Sequence, residues 1–355
     1  MKIYRNCFFA LVILFSLLAE KVAGQDKSPY EARARKEIQQ ILTQMDFGED
    51  SLRAAFEWVA KNYTYDLAFL RAPKTYESNY HLVWEALKKR KGVCQHYAET
   101  FHLMMEELGY PAYVVSGYVL DEGKFRLDLG HSWNAVKTAE GWFLFDPTWA
   151  SGTVDERGFH PEYQAEWFRQ TAKLFFDRHI PFDPLWQLTD SVFSHQQVIA
   201  GMEGQRPTLF YPVAEVWGRY EVTSVDWKEQ EVARIRSAQP VNELTKTHLK
   251  RMEEQLRVRK YNVDAASMNT AVEMLNKQIE ELNAFYRKLS SGKVAVEDQH
   301  KVMLAAYQQL EALSVQMNGI QTAEPVLLEQ LSYNQQVLKE VMSRLEGDMR
   351  KMNVP

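Results

Sequence analysis

Gly92-Val-Cys94-Gln-His-Tyr97-Ala-Glu-Thr-Phe101-His-Leu-Met104-Met-Glu-Glu-Leu108-Gly-Tyr-Pro111 is the stretch on which the reading of this chain turns. Tyr97, Phe101, Met104 and Leu108 recur at helical spacing and share one apolar face. Gly109 and Pro111 stop that helix. Cys94 therefore stands at or just before its first turn. Unpaired amides and the positive end of the helix dipole stabilise a thiolate there, and the thiolate is the nucleophilic form of cysteine.

Working downstream, Ala112-Tyr-Val-Val-Ser-Gly-Tyr-Val-Leu120 is β-branched and aromatic and reads as a strand. A polar loop is expected next, then a second strand over His131-Ser-Trp-Asn-Ala-Val136. Thr138-Ala-Glu-Gly141 reads as a tight turn, and Trp142-Phe-Leu-Phe-Asp146 as a third strand stopped by Pro147. If Thr138 faces Gly141, His131 faces Thr148, and Asp146 is its diagonal neighbour on the same sheet face. Diagonal neighbours lie ~7–8 Å apart at the backbone, within side-chain reach. A one-residue slip would separate them. Cys94, His131 and Asp146 then make a workable set of nucleophile, general base and acid, and ring-orienting carboxylate. Each residue alone has a plainer reading: a small core thiol, a structural histidine, a turn-forming aspartate.

Working upstream, Lys2 and Arg5 precede the apolar run Cys7 to Ala19, followed by Val22-Ala-Gly24 and a polar start. This describes a signal peptide over 1–24, and the run is shorter than the ~20 residues of a spanning helix. No stable membrane insertion is expected after cleavage, and the mature chain is expected to be exported, periplasmic or extracellular. Cleavage removes Lys2, Arg5 and Lys21 against Glu20, leaving a more acidic chain with Cys94 as its sole cysteine. An exported lone thiol is either buried and inert or kept for reactivity. The composition, 46% hydrophobic and 25% charged, excludes collagen-like, disordered and multi-span classes. The net charge of −5 gives no footprint for nucleic acid.

Most tryptophans, Trp58 to Trp186, fall within residues 25–200, the expected catalytic domain. Residues 201–240 read as a connector or small extension, with Trp217, Trp227 and a strand-like run Val213 to Trp217. Residues 241–355 lack tryptophan and read as a helical domain. Met268, Val272, Leu275, Ile279, Leu282, Tyr286 and Leu289 alternate spacings of four and three. Met303 to Ile320 and Leu328, Leu331, Gln335, Leu338, Met342, Leu345, Met349, Met352 do the same. Breaks at 290–293 and 319–325 predict a helical hairpin or three-helix bundle, with an earlier helix over about 241–260. No metal or cofactor is expected: no Cys/His cluster has zinc spacing, and His96 and His102, six apart, read as structural or surface residues.

Three ordered motifs resemble the transglutaminase-like superfamily: Gly92-Val-Cys94-Gln-His-Tyr-Ala, Gly130-His131-Ser-Trp133-Asn, and Trp142-Phe-Leu-Phe-Asp146-Pro-Thr-Trp149. The helix ending Lys61-Asn-Tyr-Thr-Tyr-Asp66 is similar to the segment before the family's cysteine. His179-Ile-Pro-Phe-Asp-Pro-Leu-Trp-Gln187 is similar to a stretch of kyphoscoliosis-peptidase-like members. The resemblance spans about 45–190. It implies an α+β fold, a papain-like core in which the Cys94 helix packs on an antiparallel sheet carrying His131 and Asp146. It also implies the roles of nucleophile, general base and acid, and orienting carboxylate for these three. Gln95 and Trp133 are candidates for the substrate or oxyanion site. The family includes crosslinking acyltransferases, peptidases, amidases and proteins that only bind, so the reaction stays open.

The leading expectation is an exported thiol hydrolase of peptide or amide bonds in a protein or peptide substrate, acting through an acyl-enzyme on Cys94. One alternative is a protein-glutamine acyltransferase using the same triad. The other is a scaffold acting through residues 241–355, by self-association or by a partner protein.

Overall fold

The computed structural model describes residues 29–48, 50–121, 124–201, 204–213, 216, 224–239 and 242–351. The signal peptide expected at 1–24, Trp217 and Met352 lie outside them. The described chain forms two compact units, Lys27–Leu256 and Arg257–Pro355.

The first unit begins with helices α1 (Pro29–Gln44) and α2 (Ser51–Asn62), the latter capped by Asp50, whose side chain accepts from the Arg53 amide. Strand β1 (Thr64–Tyr65) and the short α3 (Leu67–Arg71) follow, then α4 (Asn79–Lys89), capped by Ser78, and β2 (Lys91–Gly92). β1 and β2 pair in parallel, with Tyr65 opposite Gly92. Next is α5 (Cys94–Glu107). Its expected apolar face is real: Tyr97, Phe101 and Met104 are fully buried. Gly109, at φ +79°, carries the chain out of the helix.

The sheet comprises β3 (Ala112–Asp121), β4 (Lys124–Thr138), β5 (Gly141–Phe145) and, after the helix α6 (Pro147–Ser151), the hairpin β6 (Gly152–Asp155) and β7 (Gly158–Pro161) and the helix α7 (Ala172–Phe175), β8 (His179–Pro181). Its order is β5-β4-β3-β8, antiparallel at each pairing. Helix α5 packs across β3 and β4, and α1, α2 and α4 pack around α5. Phe56, Phe101, Phe145 and Phe168 meet where these layers join, with ring centroids 5.3–6.0 Å apart. Burying each such ring contributes about 1.5–3 kcal/mol. This is the expected α+β core, a cysteine-bearing helix on an antiparallel sheet.

Two expectations in this region are corrected. The stretch before His131 is strand, not polar loop, because β4 starts at Lys124 and pairs back to β3. Its sequence, Lys124-Phe-Arg-Leu-Asp-Leu129, alternates polar and apolar residues, which is a strand period despite the charges. The Thr138–Gly141 register is as expected, but pairing ends at Asn134↔Phe145, so His131 has no strand partner at Thr148. Asp146 leaves the strand to cap α6.

After a 3-10 turn at Pro184–Gln187 come β9 (Ser191–Val192), α8 (His195–Ala200), β10 (Leu209–Phe210) and α9 (Ser224–Ser237). The run expected to be extended from Val213 is helical at its described residues Val213 and Val216. Proline at 212 sets a helical φ, and the Val216 amide donates to its carbonyl at 3.0 Å. Helix α9 is held by Arg234, whose guanidinium grips the Asp183 carboxylate at 2.7–3.0 Å, both buried.

Three long helices follow: α10 (Glu243–Ser290), α11 (Val296–Asn318) and α12 (Pro325–Lys351). The second unit begins within α10, and from there the three share one core: Leu275, Ile279, Leu310, Leu313, Leu338 and Leu345 are nearly or fully buried. The separate helix expected at 241–260 is instead continuous with the next, because nothing between 243 and 290 is glycine or proline. The buried stripe of α12 is Leu327, Leu331, Asn334, Leu338, Val341 and Leu345. Leu328, expected in the seam, is exposed.

Candidate active site

Cys94 is the first residue of α5 and is partly exposed. The preceding Val93 has no polar side chain to cap the helix. His96 folds back instead, accepting the Val93 amide at Nδ1 (3.2 Å), with Nε2 3.0 Å from the Tyr76 hydroxyl. Burial holds this ring neutral, its pKa lowered to about 4. Nδ1 must accept, so Nε2 carries the proton and donates to Tyr76. This explains Gly92: a Cβ there would stand 2.4 Å from His96 Cβ. It also leaves the amides of Cys94 and Gln95 as the helix-start donors with no intrahelical acceptor.

His131 lies on β4 opposite Gly117 of β3 and is buried. Its Nε2 is 2.7 Å from Asp146 Oδ2. The Cys94 side chain lies close enough to this ring to favour its charged form. With Nε2 on the carboxylate, Nδ1 is the nitrogen left for sulfur. Burial opposes charge on this ring, but the Asp146 carboxylate outweighs it, and the pKa rises to about 10.

Asp146 is fully buried between β5 and α6. Its Oδ1 accepts the amides of Thr148 and Trp149 at 2.9 and 3.0 Å, the N-cap role favoured by Asp before Pro. Its Oδ2 accepts from His131 and also from His179 of β8 at 3.0 Å. Burial would raise the carboxyl pKa, but the two imidazoles hold it well below the usual carboxylate range. His131, Asp146 and His179 are a cluster of metal-ligating types with donor atoms within 4.8 Å of one another. Both carboxylate oxygens are engaged, Oδ1 by the two amides and Oδ2 by the two imidazoles.

The structure thus brings Cys94, His131 and Asp146 together. Trp133, two residues along β4 from His131, is 1% exposed and sits in the core, its ring 5.0 Å from His179; the indole N–H is buried without a partner. Gln95 is partly exposed beside Cys94. Three further side chains border the site. Trp149, partly exposed, lies with its ring 5.6 Å from His131 and 4.5 Å from His179. Tyr65, placed by the β1–β2 pairing, has its phenol pKa raised by burial and by the nearby Cys94. His179 falls within the kyphoscoliosis-peptidase-like stretch, and its position 33 residues beyond Asp146 leaves no periodic signal of a place in the site.

Residues 34–147 match the model of the transglutaminase-like superfamily. That match covers the Cys94 helix and the strands that carry His131 and lead to Asp146. Kyphoscoliosis peptidases of Homo sapiens and Mus musculus are each 28% identical over 158 residues, which is 42% of this chain. The chain spans 23% of the length of those relatives. Among solved structures, the periplasmic domain of TgpA from Pseudomonas aeruginosa, bound to ethylmercury, is 24% identical with a TM-score of 0.26, covering 33% of this chain and 44% of that one. Among the described residues, no helix is long and apolar enough to cross a membrane.

Proposed function

We propose that this transglutaminase-like core is an exported thiol enzyme that hydrolyses peptide or amide bonds through an acyl-enzyme on Cys94. One observation carries this reading: a partly exposed thiol at a helix start, beside an imidazole locked 2.7 Å from a buried carboxylate.

At neutral pH the raised His131 pKa favours an imidazolium, with Asp146 holding the ring, and Cys94 reacts as its thiolate. The sulfur adds to the substrate carbonyl carbon, and the developing oxyanion lies toward the free amides at the start of α5. The C–N bond breaks as His131 gives its Nδ1 proton to the leaving amine. A thioester and a neutral imidazole remain. Water then adds to the thioester, its proton passing to His131, and the carboxylic acid product leaves as the thiolate–imidazolium pair is restored. A primary amine in place of water would make the same thioester the donor of an acyl transfer.

The test is a peptide library incubated with the full chain and with Cys94→Ala. Cleavage lost in the variant, with a thioester trapped on Cys94 at low pH, is the expected result. Cleavage retained by Cys94→Ala would overturn the reading. Incorporation of a labelled primary amine into a glutamine peptide, in place of hydrolysis, would move the reaction to acyl transfer.

A further inference from the structure

We propose that His179 is a positioning residue of this site: it donates Nε2–H to Asp146 Oδ2 and fixes the carboxylate against which His131 is oriented. This rests on the reading of Cys94, His131 and Asp146 given above. The two histidines flank one strand. His131 pairs with Gly117 and His179 with Val119, two residues apart on β3 and therefore on the same face. Both rings reach one oxygen, at 2.7 and 3.0 Å, with their centroids 5.6 Å apart.

An ionised carboxylate only accepts, so both Nε2 atoms are donors. Without His179, Oδ2 would have a free lone-pair direction, and its carboxylate would be tied only by the two cap amides and by the ring it is meant to orient. His179 itself is held tightly. Its ring stacks on Phe175 at 4.0 Å and is edged by Trp133, Trp149 and Trp167 at 4.5–5.5 Å. Its Nδ1 makes no well-formed hydrogen bond, although the Phe175 backbone lies near enough to interact with the ring. The groups of variable charge facing this assembly are Asp146 from the β5–α6 junction and His131 from β4. Cys94 of α5 and Tyr65 of β1 stand beyond them, against His131 and Asp146 respectively.

Two experiments on the full chain test this. The first is imidazole nitrogen NMR of the wild type between about pH 5.5 and 8.5. The expected spectrum has His179 neutral throughout with its proton on Nε2. A charged His179, or a proton on Nδ1, would overturn the proposal. The second is the rate of Cys94 alkylation by iodoacetamide against pH for His179→Phe and His179→Gln. His179→Phe keeps the stacked ring but removes the donor. It is expected to slow alkylation at pH 7 by about tenfold or more, the lower end of the loss when the partner orienting a metal-bound histidine is removed. The acid limb should also move to higher pH, because the carboxylate has lost a bond to its charged form. His179→Gln can still donate and should recover most of the rate and the position of the limb. Wild-type profiles in both variants would overturn the proposal. If wild-type Cys94 reacts no faster than in His131→Ala, the reading of the triad fails instead, and the NMR result still decides the role of His179.

Discussion

Replacing Asp146 with asparagine tests both the stability and the chemistry of the buried centre. Asparagine has the same shape, and its Oδ1 can keep the Thr148 and Trp149 amides at 2.9 and 3.0 Å. Its NH2 group then faces two imidazole N–H donors, 2.7 and 3.0 Å from the position of Oδ2. Donor meets donor, so both rings must move their protons to Nδ1, and His131 loses the counter-charge for its imidazolium. Breaking a buried pair by removing one partner costs about 3–5 kcal/mol. That is a large share of the roughly 5–15 kcal/mol that holds a domain folded. The His131 pKa, raised to about 10 by this carboxylate, should fall to the ordinary ~6.5 or below. At pH 7.5 the imidazolium fraction then drops from nearly all to about a tenth or less. Tryptophan fluorescence in urea reads the stability of the first unit specifically, since residues 257–355 contain no tryptophan. Iodoacetamide kinetics read the chemistry. A variant within about 0.5 kcal/mol of wild type, with an unchanged alkylation profile, would refute the assigned network.

Three other outcomes are expected. Burial lowers the pKa of His96 and His179 to about 4 and of His248 to about 3, so the unfolded chain binds protons that the folded chain refuses. Stability should therefore fall as pH drops from ~6.5 toward 4, by up to ~1.4 kcal/mol per pH unit for each histidine, and a melting temperature equal at pH 7 and 5 would contradict this. Gly92→Ala should force His96 aside, cost about 1–3 kcal/mol and slow Cys94 alkylation, checked by melting and by the alkylation rate. Arg234→Met should leave the Asp183 carboxylate buried without its partner and cost about 3–5 kcal/mol; adding Asp183→Leu should recover part of the loss in a double-mutant cycle.

What sequence made legible here was whatever a local rule controls. The apolar spacing of Tyr97, Phe101 and Met104 placed Cys94 at a helix start. The short turn at 138–141 gave the register that brings His131 near the end of β5. Asp146 before Pro147 signalled the end of that strand, although not that the same carboxylate would cap α6 with one oxygen and hold histidines with the other. His179 was not legible as a member of the site, because β8 is three residues long and reaches the site only by pairing across β3. The β4 extension was hidden because charged residues in Lys124–Asp128 outweighed their alternation. In α12, adjacent Leu327 and Leu328 both fit a mixed three-and-four spacing. Packing resolved the choice by burying Asn334, whose side chain donates to the Gln330 carbonyl at 2.8 Å, and leaving Leu328 outside.

Two imidazoles on one carboxylate oxygen take opposite charge states, and their surroundings show why. Asp146 carries one negative charge, which can offset one buried positive charge but not two. His131 stands nearer the carboxylate, at 2.7 Å against 3.0 Å, and has the Cys94 side chain beside it, so the charge settles there and the pKa rises to about 10. His179 is packed among Phe175 and indole rings, and desolvation outweighs both Asp146 and the nearby Phe175 backbone, taking its pKa to about 4. The arrangement keeps the proton on the histidine that faces the nucleophile and gives the other a purely orienting bond. Moving a second acceptor next to His179 should erase the difference. Phe175→Glu would bring a carboxylate against its ring, and the His179 pKa, read by imidazole NMR, is expected to rise by several units while that of His131 falls as the two compete for Asp146. If His179 stays neutral through pH 6 in that variant while the protein remains folded, the cage rather than the missing counter-charge fixes its state, and the division of roles argued here is wrong.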